Sequence, residues 1–174
     1  MRRGFFKIGL AGTACGLLAA GSLMAGDAPP TRFQVQADLT GYQEVPAIST
    51  VAHGTFDAWI DTEAGLIFYK LKYDGLEGTV TQSHVHFGQM SVNGGISFFL
   101  CTNAGNGPVG TQTCPAGPAV VEGVIDAAAV IGPLPVGIEA GAFAEIVAAI
   151  RNGTAYANVH SSKWPAGEIR GQLR

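Results

Sequence analysis

From residue 33 to the C-terminus, apolar and polar positions alternate in short runs separated by glycine-rich turns. Phe33, Val35, Ala37 and Leu39 alternate with polar residues until Gly41. Phe56, Ala58 and Ile60 alternate with Thr55, Asp57 and Asp61. Such period-two patterns predict strands with one buried face. The same reading predicts strands over Leu66–Tyr73, Thr79–Phe87, Ile96–Cys101, Ala119–Ile125, Ala155–His160 and Glu168–Leu173. Asn93-Gly94-Gly95 is a hairpin signal before Ile96. One segment breaks the rhythm. Over residues 139–152, Phe143, Ile146, Val147 and Ile150 fall at helical spacing, with Arg151 near the end and Gly153 as the stop. The pattern predicts a mainly β fold, a Greek-key β-sandwich or barrel with one helix.

Strand parity then sorts the polar residues. On the strand ending at Phe87, Val85 and Phe87 take the core face, so His84 and His86 share the other. On the next-to-last strand Ala157 and Val159 point inward and Tyr156, Asn158 and His160 point outward. On the last strand Ile169 and Leu173 point inward, and Glu168, Arg170 and Gln172 point outward. If these strands are neighbours, His84, His86, His160, Glu168 and Arg170 form one cluster on the solvent side of the sheet. Three histidines can bind Zn²⁺ or Cu²⁺, with Asn158 or Glu168 orienting an imidazole from behind. The alternative is a set of polar groups that pair across strands, with no ligand. His53, at a strand start, reads as a surface residue. Glu44 and Glu168 could act as a carboxylate pair, but nothing in the sequence places them together. There is no GxSxG elbow and no glycine-rich phosphate loop. An enzyme is the less favoured reading.

The first 26 residues read as an export signal. Arg2-Arg3-Gly4-Phe5-Phe6-Lys7 precedes an uncharged run from Ile8 to Gly26. The opening resembles the twin-arginine motif of the Tat export route, an ordinary Sec signal being the alternative. Cleavage near Ala25 or Gly26 would leave residues 27–174 as one domain in the periplasm or secreted, with no membrane attachment. Arg2, Arg3 and Lys7 account for three of the ten basic residues. The remainder carries seven basic against thirteen acidic residues, a net charge of −6, with no Lys/Arg cluster. That disfavours nucleic acid as a partner. Cys101 and Cys114 remain as an even pair in an exported chain and predict a disulfide.

Several ordered motifs resemble a known family. They are Ala37-Asp38-Leu39-Thr40-Gly41-Tyr42-Gln43-Glu44-Val45-Pro46, Ser83-His84-Val85-His86-Phe87-Gly88, Gly153-Thr154-Ala155-Tyr156-Ala157-Asn158-Val159-His160 and Pro165-Ala166-Gly167-Glu168-Ile169-Arg170-Gly171-Gln172-Leu173. Together they resemble the CHRD domain, named for chordin and widespread in exported bacterial proteins. The resemblance implies an extracytoplasmic β-sandwich and implies no reaction. A shorter likeness covers His84-Val85-His86-Phe87-Gly88, similar to the copper-binding His-Val-His of Cu/Zn superoxide dismutase. No histidine follows until His160, so that enzyme's zinc loop has no counterpart. Two functions follow. The first is an exported, non-catalytic binding protein whose partner is a protein, a surface polymer or a metal ion. The second is a copper or zinc metalloprotein with redox or dismutase-like activity.

Overall fold

The computed structural model describes Met1 and residues 28–174. The expected export signal, Met1 apart, lies outside the described residues. Among the described residues, no helix is long and apolar enough to cross a membrane.

The eight predicted strands all form: β1 (Arg32–Thr40), β2 (His53–Asp61), β3 (Leu66–Asp74), β4 (Val80–Phe87), β5 (Gly95–Thr102), β6 (Ala119–Ile125), β7 (Ala155–Ser161) and β8 (Ile169–Gln172). They make one antiparallel sheet in the order β5-β4-β7-β8-β1-β2-β3-β6, rolled into a nearly closed barrel. Of the two architectures expected, sandwich or barrel, the chain adopts the barrel. β4, β5 and β6 follow one another around it and β6 lies beside β3, which is a Greek-key path. Its interior is filled from every strand, by Leu39, Phe56, Ile60, Ile67, Leu71, Val85, Phe98, Val159 and Ile169 among others. The helix α1 (Phe143–Arg151) is shorter at its start than the pattern suggested. Residues 139–142 form a turn instead, with the Ala142 N–H donating to Glu139 O at 3.1 Å. Ile146, Val147 and Ile150 are buried against the core, as the stripe predicts.

The two end strands of the sheet, β5 and β6, are joined by side chains rather than by a ladder. The Tyr69 hydroxyl donates to Leu100 O across the seam at 2.7 Å. Gln112 Nε2 donates to Tyr69 Oη at 2.8 Å and to Glu122 O at 2.9 Å. Gln112 lies in the irregular loop held by the predicted disulfide, Cys101–Cys114, whose sulfurs bond across a sequence separation of 13. The crosslink therefore fixes the plug that closes the barrel. Replacing both cysteines by alanine should lower stability by about 3 kcal/mol, the loop-entropy value for this separation. Chemical denaturation of the variant beside the oxidised protein measures it, and equal stabilities would refute the assignment.

Candidate metal centre

β4, β7 and β8 are neighbours, so the polar cluster expected from strand parity assembles. Cross-strand register sets it in rows. His84 lies opposite Asn158, and Asn158 opposite Arg170. His86 lies opposite Tyr156, and Tyr156 opposite Gln172. Directly opposed residues share a face. Val85, Ala157 and Val159 occupy the other face and are fully buried in the barrel core.

One expectation is overturned. The outer face of these strands does not meet water. His84 is 1% exposed, His86 8%, His160 6%, Asn158 3%, Glu168 0% and Arg170 1%. The cause is a cover built by loops. The β1–β2 loop brings Glu44 and Thr50 over the sheet, and the Thr50 hydroxyl donates to Glu168 Oε1 at 2.9 Å. The β4–β5 loop supplies Gly94, whose carbonyl faces His86, and Asn93, whose Nδ2 donates to Val45 O at 2.8 Å and ties the two loops together. The β7–β8 loop supplies Pro165 against His160. The histidines thus occupy a second, polar interior. Strand parity holds, and exposure does not follow from it.

The three imidazoles are packed together. One ring nitrogen from each of His84, His86 and His160 lies within 4.8 Å of the other two. The His84 ring sits 4.7 Å from that of His160 and 5.1 Å from that of His86, centroid to centroid. Phe99 closes one side, edge-on to His84 at 4.7 Å. Tyr156 closes another, stacked on His86 at 4.7 Å with an interplanar angle of 2°. The Arg170 guanidinium carbon is 3.4 Å from the Tyr156 ring centre.

Hydrogen bonds fix which nitrogens carry protons. His86 Nδ1 is 2.9 Å from Gly94 O, and His160 Nδ1 is 2.9 Å from Pro165 O. A carbonyl accepts, so both Nδ1 atoms are protonated and both Nε2 atoms carry lone pairs. His84 Nδ1 approaches His86 Nε2 at 3.2 Å. With His86 Nε2 an acceptor, the single proton of a neutral His84 belongs on Nδ1. His84 Nε2 and His160 Nε2 are then buried lone pairs without a donor, and neither has a hydrogen-bond partner. Each unsatisfied buried group costs roughly 1–3 kcal/mol. Burial also keeps the rings neutral. Desolvation, helped by the neighbouring imidazoles, pushes His84 down to about 2. Desolvation pushes His86 down to about 4 against the Gly94 hydrogen bond. It lowers His160 against the Pro165 bond.

The surroundings share this bias towards acceptors. Glu44 Oε1, Asn158 Oδ1, Glu168 Oε2 and Gln172 Oε1 are also buried without partners. Neither Glu168 nor Arg170 takes part in the ion pairs of the described residues, which are Arg32–Asp61, Lys70–Glu122 and Lys163–Glu77. Salt bridges between strands therefore do not account for this face. Glu168 is held instead by Thr50 and by the Glu77 N–H, which donates to Oε1 at 2.8 Å. His53 lies apart at the exposed start of β2, as expected. The sequence reading named Glu44 only in a possible carboxylate pair with Glu168, and it missed Gly94, Pro165 and Phe99 as site members. All lie in loops or on the bulged strand β5, where no periodicity marks them.

A divalent ion fits this donor set. Two ligands on one zinc or copper ion stand about 2.0–2.1 Å from it, so they lie at most about 4.2 Å apart. The 3.2 Å between His84 Nδ1 and His86 Nε2 is close to the edge of a tetrahedron of that size, so an ion held by both would take the place of the proton between them, and that proton would move to His84 Nε2. Closing the remaining gap asks for small ring rotations. The Nδ1–H···O=C bonds on His86 and His160 are the outer-sphere contacts that ligating histidines commonly make.

Neither a curated protein nor a solved structure matches the chain. The family model described as CHRD domain matches residues 35–173, from within β1 to the residue after β8, with every residue of the histidine cluster inside it. The chain belongs to the CHRD domain family.

Proposed function

We propose that this CHRD-domain protein is exported and binds one copper or zinc ion through His84, His86 and His160. The observation that carries the reading is the gathering of three buried imidazoles, one ring nitrogen of each within 4.8 Å of the other two, with more lone pairs than neighbouring donors can meet. Three neutral imidazoles hold three protons, and the backbone takes two of them. The group that satisfies the surplus lone pairs is a cation. Imidazole nitrogen suits zinc and copper, and a site without thiolate or carboxylate among its three nitrogens suits the hard cations Mg²⁺ and Ca²⁺ poorly. The Arg2-Arg3 leader supports export to the periplasm or beyond, and the Cys101–Cys114 disulfide suits an oxidising compartment.

The test is elemental analysis of protein purified from the periplasm, followed by calorimetric titration of the stripped protein. The wild type should carry near-stoichiometric copper or zinc. The His84→Ala, His86→Ala double variant should retain less than about a tenth of an equivalent, since a lone imidazole holds such ions weakly. A wild type that takes up no metal after loading would end this reading.

A further inference from the structure

Glu44 is the buried acid that the histidine cluster leaves unexplained. It lies in the β1–β2 loop, just after the short turn Gly41–Gln43, and is 7% exposed. Its Oε1 is buried and unpartnered. The β7–β8 loop is shaped around it. A β-carbon on Gly167, whose φ is +130°, would stand 2.5 Å from Glu44 Oε1 and 2.8 Å from its carboxyl carbon. The carboxyl group therefore rests on bare backbone where no other residue could stand. Across from it, the Asn158 amide lies beside the Glu44 carboxyl and beside the His84 and His86 rings. Its Oδ1 is nonetheless unpartnered.

Charge balance gives this placement a purpose. A divalent ion on three neutral imidazoles is a buried charge of two, and Arg170, 1% exposed, is a fixed cation on the same face. Buried charge of one sign is tolerated when a counter-charge accompanies it. The acids on this face are Glu44 and Glu168. Glu168 Oε1 is already engaged by Thr50 and the Glu77 N–H. Glu44 Oε1 and Glu168 Oε2 are both buried without a partner, and of the two acids it is Glu44 that is coupled electrostatically to Arg170. We propose that Glu44 is the anionic partner of the ion, poised on Gly167 to supply the negative charge that the three histidines lack. The proposal rests on the three-histidine reading above. Burial holds the Glu44 carboxyl up at about 7, which fits an acid waiting for a cation.

Calorimetric titration of stripped wild type, Glu44→Gln, Glu44→Asp and the His84→Ala, His86→Ala variant decides the matter, using Zn²⁺ and, anaerobically, Cu⁺. Glu44→Gln keeps the shape and removes the charge. It should weaken Zn²⁺ binding ten- to a hundredfold, the range for a lost outer-sphere partner. The loss for Cu⁺ should be smaller, because half the charge is being balanced. Glu44→Asp should recover most of the Zn²⁺ affinity. Equal Zn²⁺ affinity in Glu44→Gln and wild type, or equal losses for the two ions, would overturn the role of Glu44 while leaving the histidine site intact. No binding by the wild type would remove both.

Discussion

Moving the metal-free protein from pH 7 to pH 4 should lower its stability by on the order of 3 kcal/mol. The histidines drive the loss. In the unfolded chain they titrate near 6.5, while the folded protein holds His84 near 2 and His86 near 4. Between these values the unfolded state binds more protons, so stability falls as pH falls below 6.5. By pH 4 each ring accounts for on the order of 3 kcal/mol, at 1.36 kcal/mol per pKa unit. His160 acts in the same direction. Glu44 opposes them. Its folded value near 7 lies above the ordinary 4.5, so the folded state binds more protons between pH 4.5 and 7 and is favoured by acid. That returns on the order of 3 kcal/mol, enough to cancel one histidine but not two. Denaturant midpoints at pH 7, 5.5 and 4, with a chelator present, should fall steadily. Glu44→Gln removes the offset and should fall about twice as far. A midpoint that stays flat would mean the imidazoles are not desolvated, and the centre as described would fail.

The parts of this molecule that are legible in its sequence are those set by periodicity. In β1 buried and less buried positions alternate from Val35 to Leu39, and the same alternation told Val85 from His84. It also placed His84, Asn158 and Arg170 on a common face, because the side-chain period of a strand is fixed by its backbone. What periodicity cannot carry is the environment of the second face. In β7 all seven residues are buried. The polar ones among them are buried by three loops, and a loop's packing leaves no repeating signature. Glu44 illustrates the limit. A single glutamate before Val45-Pro46 has no pattern, and its site is made by the absence of a side chain at Gly167, more than a hundred residues later. The helix start failed for a related reason. The pattern predicts a start near residue 139, but the chain turns once more through Gly141 before entering α1 at Phe143, and Glu145 is the acid of the first turn.

Gly94→Ala should be among the most damaging single substitutions in the cover of the centre, costing about 3 kcal/mol or more. A β-carbon at this position would stand 1.8 Å from Phe87 O and 2.6 Å from the Phe87 carbonyl carbon. Both atoms are backbone at the end of β4, so no side chain can swing away to make room. The β4–β5 hairpin itself must move. Gly94 also holds two members of the site, since its N–H donates to the Tyr156 hydroxyl at 3.1 Å and its carbonyl faces His86 Nδ1 at 2.9 Å. Displacing that carbonyl releases the His86 tautomer, and with it the Nε2 lone pair aimed at the cluster. Stability and metal affinity should therefore fall together, the second by ten- to a hundredfold as for other lost outer-sphere contacts. Val92→Ala, in the same loop at an exposed side chain, should leave both within a few tenths of a kcal/mol of wild type. If Gly94→Ala lost stability yet bound zinc as tightly as wild type, the Gly94 carbonyl would be a structural contact with no hold on the imidazole. The tautomer argument for His86 would then have to be abandoned.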